Sequence, residues 1–68
     1  MLTPVHVRMA RAALKWSFVD LEKRTGVSKN TLVRFEAGRG IHHSTAIKIE
    51  ETLIREGILF SDERDPRG

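Results

Sequence analysis

The stretch Ser17-Phe18-Val19-Asp20-Leu21-Glu22-Lys23-Arg24-Thr25-Gly26-Val27-Ser28-Lys29-Asn30-Thr31-Leu32-Val33-Arg34-Phe35-Glu36-Ala37-Gly38 decides the fold. It holds two short amphipathic segments, each opened by a serine and closed by a glycine. Ser17 stands as an N-cap with Asp20 at N3, a capping box in which aspartate replaces the longer glutamate. Trp16 and Leu21 flank that cap at the spacing of a hydrophobic staple. Gly26 supplies the left-handed exit. Ser28 caps the next helix, Val27 and Leu32 repeat the staple spacing, and Gly38 follows its end near Ala37. Only Thr25, Gly26 and Val27 separate the two segments, the spacing of a helix-turn-helix.

The same grammar extends outward. Thr3 is placed to cap a first helix with Pro4 at N1, where the missing N–H costs nothing. Val7, Ala10 and Leu14 form its buried stripe, with Leu2 and Val7 in staple positions. Ser44 is the expected N-cap of a fourth helix whose buried stripe is Ala46, Ile49 and Leu53. Ile47 and Ile54 lie off that stripe. They form either a further core row, the favoured reading, or an exposed strip that meets its own copy in a two-fold dimer. Trp16 is assigned to the core. Beyond Gly57, Ile58-Leu59-Phe60 either packs on the bundle or makes a short strand. The expected organisation is one all-α domain over residues 1–60 with four helices, the Ile58–Phe60 segment as a fifth element, and a flexible tail over 61–68.

At about 100° per residue the third helix divides cleanly. Leu32 and Phe35 point to one side; Lys29, Asn30, Val33 and Arg34 point to the other. That second set suits base readout. Lysine or arginine can donate to guanine O6 and N7, asparagine can pair with adenine N6 and N7, and a small apolar residue can touch a thymine methyl. The charge distribution agrees. Net charge is +3, and between residues 23 and 43 Lys23, Arg24, Lys29, Arg34 and Arg39 face a single acid, Glu36. A polyanion is the partner such an asymmetry fits, against the plainer reading of a solvated surface.

Other classes are set aside on composition. With 68 residues the chain holds one small domain. It has no cysteine for disulfides or thiolate metal sites. His42 and His43 are adjacent on a loop, a poor arrangement for one ion even with His6, so no metal or cofactor is expected. Their plainer place is beside a phosphate backbone. Ser17, Ser28 and Ser44 read as caps rather than nucleophiles, and no cleft suited to an enzyme is expected. No apolar run is long enough to cross a membrane. No secretory signal opens the chain, and a cytoplasmic protein is expected.

Arg8, Arg11, Trp16-Ser17, Leu21, Thr25-Gly26-Val27-Ser28, Thr31-Leu32, Phe35-Glu36 and Gly38 together resemble the XRE-type family, the Cro- and cI-like phage repressor helix-turn-helix proteins. The resemblance covers about residues 5 to 55. It implies a lambda-repressor-like helical domain that binds double-stranded DNA, usually as a homodimer on an inverted repeat. It implies base contacts at Lys29, Asn30 and Arg34. It implies phosphate contacts from Ser17 and Phe18 at the start of the second helix and from the loop Arg39 to Ser44, including His42. Thr31 joins this phosphate set, and an ion pair between Arg11 and Glu36 is implied as structural. Three departures stand out: Phe18 where the family favours a phosphate-anchoring glutamine, Glu22 where it favours alanine, and Ile58-Leu59-Phe60 where many relatives have a fifth helix.

The expected function is a sequence-specific DNA-binding regulator, a repressor, with no enzymatic activity. Ile47, Ile54, Ile58 and Phe60 are the candidate dimer or partner surface. The alternative is a protein-interaction module of the same fold, such as an anti-activator, docking a protein partner on Phe18, Ile47, Ile54, Leu59 and Phe60.

Overall fold

The computed structural model describes residues 2–58, which form four helices in chain order. They are α1 (Pro4–Leu14), α2 (Phe18–Thr25), α3 (Lys29–Glu36) and α4 (His43–Arg55). Among the described residues there is no strand. The assignments of Leu59 and Phe60 and of a tail over 61–68 lie outside the described residues.

Local chemistry sets the first three starts. Thr3 Oγ1 accepts from His6 N–H, and His6 Nδ1 accepts from Thr3 N–H, so a histidine completes the capping box of α1. Ser17 and Asp20 exchange the corresponding pair at α2, so aspartate does reach. Ser28 Oγ accepts from Thr31 N–H at α3. Two left-handed residues close α1 and α2: Lys15 at φ 59° and Gly26 at φ 78°. A Cβ at Gly26 would meet nothing within 4 Å. The cost of Gly26→Ala is therefore backbone strain alone, about 1–2 kcal/mol. Thermal melts should show that loss with no change in helical content.

The fourth start differs from expectation. The N-cap is His42, not Ser44, and it makes no side-chain cap bond. Ile41 and Ala46 explain the shift. They occupy the N′ and N4 staple positions of a helix capped at His42, and both pack against the core. Apolar burial outweighs the one hydrogen bond that a Ser44 cap would supply.

Leu21, Leu32, Ile49, Leu53 and Val7 are fully buried and draw the helices together. Helix α3 packs on both α1 and α2, and α4 packs on α2. Trp16, Leu14, Phe18, Ala46 and Ile58 close the edges of this core, partly exposed. Ile58 also donates its N–H to Leu53 O, which folds the chain back after α4. Thr25 sits buried in the turn, where its hydroxyl donates to Leu21 O and accepts from Val27 N–H. Among the described residues no buried side-chain N or O lacks a partner. Among the described residues no helix is long and apolar enough to cross a membrane.

Ile47 and Ile54 correct the favoured reading. They are 38% and 53% exposed, so they do not extend the core. The inward arc of α4 is filled by Ile49, Thr52 and Leu53, with Thr52 tying its hydroxyl to Lys48 O.

Candidate nucleic-acid interface

Helix α3 is held from behind. Leu32 and Phe35 are buried, and the turn through Thr25 and Gly26 fixes its start. Its end is gripped by α1. Arg11 Nε donates to Glu36 Oε2 at 2.8 Å, and one terminal nitrogen donates to Oε1 at 2.9 Å. The other terminal nitrogen donates to Trp16 O. Arg8 lies 3.8 Å from the same carboxylate and donates to Glu36 O at the helix end. The phenyl ring of Phe18 covers the Arg11 guanidinium at 4.0 Å. The hydrogen bonds that Arg11 donates to Glu36 raise its pKa, against a smaller opposing effect of desolvation.

With its back fixed, α3 presents Lys29, Asn30, Val33 and Arg34 to solvent together. Val33, at 39% exposure, is the apolar member of that face. Beside it, Thr31 and Arg34 form one wall of an open cleft of ≈ 520 Å³. Gly40, Ile41, His42 and Thr45 form the other. The cleft thus joins the α3 face to the start of α4. Gly40, Ile41 and His42 fall in the expected loop Arg39 to Ser44; Thr45 was not among the expected site residues, and no local signal marked it. Arg39 and Ser44 are exposed outside this lining.

The helix starts differ electrically. At α2 the Asp20 carboxylate accepts from Ser17 N–H, which lowers its pKa from the ordinary 3.8. The contribution of this bond is therefore present at neutral pH and is lost as pH falls through that lowered value. A negative group already occupies the positive end of α2. At α4 no acidic residue lies in the first turn and no side chain caps it. Its first three N–H groups, at His43, Ser44 and Thr45, therefore have no side-chain acceptor, and Thr45 lines the cleft.

Some expected contributors are engaged elsewhere. Arg24 pairs with Glu56 at 3.3 Å and stacks over Trp16 at 4.9 Å, joining α2 to the end of α4. Thr31 Oγ1 accepts from Ser28 Oγ and is half-buried. Phe18 is half-buried against the core and stacked on Arg11, so it does not stand in an exposed docking surface with Ile47 and Ile54. Ile58 is likewise half-buried on the core. Among the described residues no three histidine, aspartate or glutamate side chains gather where they could hold a metal ion.

No match was found among curated proteins or among solved structures. The helix-turn-helix family model matches residues 7–56, from the first core position of α1 to the end of α4. That span contains the gripped α3, its outward face and the adjoining loop, and the chain belongs to the XRE-type, Cro- and cI-like helix-turn-helix family of DNA-binding regulators.

Proposed function

We propose that this regulator is a cytoplasmic repressor that reads an inverted-repeat operator as a homodimer, with α3 in the major groove. The observation that carries the reading is the joint exposure of Lys29, Asn30, Val33 and Arg34 on a helix whose other side is locked to α1 and α2. Asn30 suits adenine and Arg34 or Lys29 suits guanine, while Val33 suits a thymine methyl. Phosphates fall to Arg39, His42 and the N–H groups at the start of α4, which includes Ser44. The start of α2 at Ser17 and Phe18 is the weaker anchor, because Asp20 already occupies it. Two copies would place their α3 helices about 34–36 Å apart, one turn of DNA. Occupying a promoter would block transcription by exclusion.

Arg34→Ala should weaken operator binding by about 1–3 kcal/mol and relax selectivity at one base pair. Arg39→Ala should weaken all sequences alike and lower the salt slope by about one. Titrations at several salt concentrations check both. The deciding experiment is selection from a random duplex library, run beside the Asn30→Ala/Arg34→Ala variant. Enrichment of an inverted repeat by the natural chain alone supports the reading. Weak, salt-sensitive binding without enrichment overturns it in favour of a protein partner docked on the exposed Ile47 and Ile54.

A further inference from the structure

Phe18 is the first residue of α2, and its ring does more than close the edge of the core. It lies on the flat face of the Arg11 guanidinium, 4.0 Å from the ring centre. The edges of that guanidinium are already engaged. Nε and one terminal nitrogen donate to Glu36 at 2.8 and 2.9 Å, and the other terminal nitrogen donates to Trp16 O at 3.3 Å. Side chains of α1, α2 and α3 therefore meet around one cation. The division suits guanidinium chemistry. The edge donates in a fork that matches a carboxylate; the faces are weakly hydrated and stack on aromatic rings.

The rest of α3 is held by contacts of another kind. Its start is tied by the Ser28 cap and by the turn through Thr25. Leu32 and Phe35 anchor its inner side by burial, which is non-directional. Glu36 is the last residue of the helix, and the forked pair gives this end a fixed direction. Arg34 lies in that last turn. Its carbonyl accepts from both Ala37 and Arg39 N–H, so it moves with the helix end. Arg8 also donates to Glu36 O, but its side chain is 56% exposed.

We infer that Phe18 is a positioning residue for Arg34. By covering Arg11 it keeps the guanidinium plane from tilting and shields the ion pair from water. It thereby fixes the angle at which the end of α3 presents Arg34. The inference rests on the DNA reading above and adds a residue whose ring acts through Arg11 and Glu36. The two ends of α3 then respond differently. Eight residues span about 12 Å, so a tilt about the tied start displaces Arg34 more than Asn30. Loss of the ring is felt at the base pair that Arg34 reads, and not at the pair that Asn30 reads.

The test compares Phe18→Leu, which keeps apolar burial and loses the ring, with Phe18→Tyr, which keeps the ring. The probes are duplexes that the natural chain enriches from a random library, together with their single-base-pair variants. The pair that Arg34 reads is the one whose selectivity Arg34→Ala removes, and Asn30→Ala marks its own pair in the same way. Phe18→Leu should reduce discrimination at the Arg34 pair about fivefold, the scale of one cation–π contact. Discrimination at the Asn30 pair should not change. Phe18→Tyr should behave as the natural chain does. In the Arg34→Ala background, adding Phe18→Leu should change nothing further at that pair. Nuclear magnetic resonance of the full chain without DNA reads the ring directly. The Arg11 Nε–H proton should lie upfield, over the ring, in the natural chain and in Phe18→Tyr. In Phe18→Leu it should move downfield and exchange faster with water. An even loss of affinity across all duplexes overturns the inference, because it marks a side chain that only supports the fold. Enrichment by the natural chain with an unmoved Arg11 signal in Phe18→Leu also overturns it, and leaves the DNA reading standing. A shifted Arg11 signal with no enriched duplex overturns the DNA reading and the role at Arg34 with it.

Discussion

Glu36→Ala should cost the domain about 3 kcal/mol, because it strands Arg11 in a partly desolvated position. The side chains are 22% and 12% exposed, so water recovers only part of the loss. For 68 residues the whole stability is about 3–10 kcal/mol. The expected fall in Tm is then about 12–24 °C. Arg11→Ala should cost less, since Arg8 already stands 3.8 Å from the carboxylate and can move in. The pair as a whole is a different matter. Replacing both members by packed apolar residues, as in Arg11→Met/Glu36→Leu, should recover most of the loss, because a buried ion pair and an apolar contact of equal volume are nearly equivalent. Chemical denaturation of the natural chain and these three variants measures each difference. A loss under 1 kcal/mol for Glu36→Ala would show that water solvates the Arg11 guanidinium left behind.

The second large effect is Leu32→Ala. Leu32 is fully buried where α3 meets α1 and α2. Its truncation should cost about 2–5 kcal/mol through lost burial and the cavity left behind. DNA affinity should fall with the folded fraction, at every sequence equally. Val33→Ala, one residue along, is the control. Its side chain faces solvent, so stability should change by less than about 0.5 kcal/mol, while the preference for a thymine is lost. Denaturant midpoints and duplex titrations on both variants separate the helix's two sides. Equal stability losses would mean that the helix is rotated from the orientation described.

The three serine or threonine caps that were legible share one property: cap and staple lie within a few residues of each other. Thr3, Ser17 and Ser28 each sit between two staple residues, so local pattern and tertiary burial agree. At α4 they compete. Ser44 is the better cap by residue type, but Ile41 and Ala46 commit the chain two residues earlier. The split of α3 into Leu32 and Phe35 against Lys29, Asn30, Val33 and Arg34 was readable because helical periodicity is strict over eight residues. Ile47 and Ile54 were not, because α4 carries apolar residues over more than one arc and periodicity cannot say which arc meets the core. The stacking of Phe18 on Arg11 depends on two helices far apart in sequence, and nothing local encodes it.

The open start of α4 has a dynamic consequence. A first turn without a side-chain cap is the segment of that helix most prone to open locally, ahead of the domain as a whole. The amides of His43, Ser44 and Thr45 have no carbonyl partner within the helix and should exchange fast, while that of Ala46, bonded to His42 O, reports the opening of the turn. On the reading proposed above, a phosphate seated there would close the turn, and part of binding would be an ordering event. The heat capacity of complex formation would then include the firming of one helical turn in each bound chain, beyond the surface removed from water.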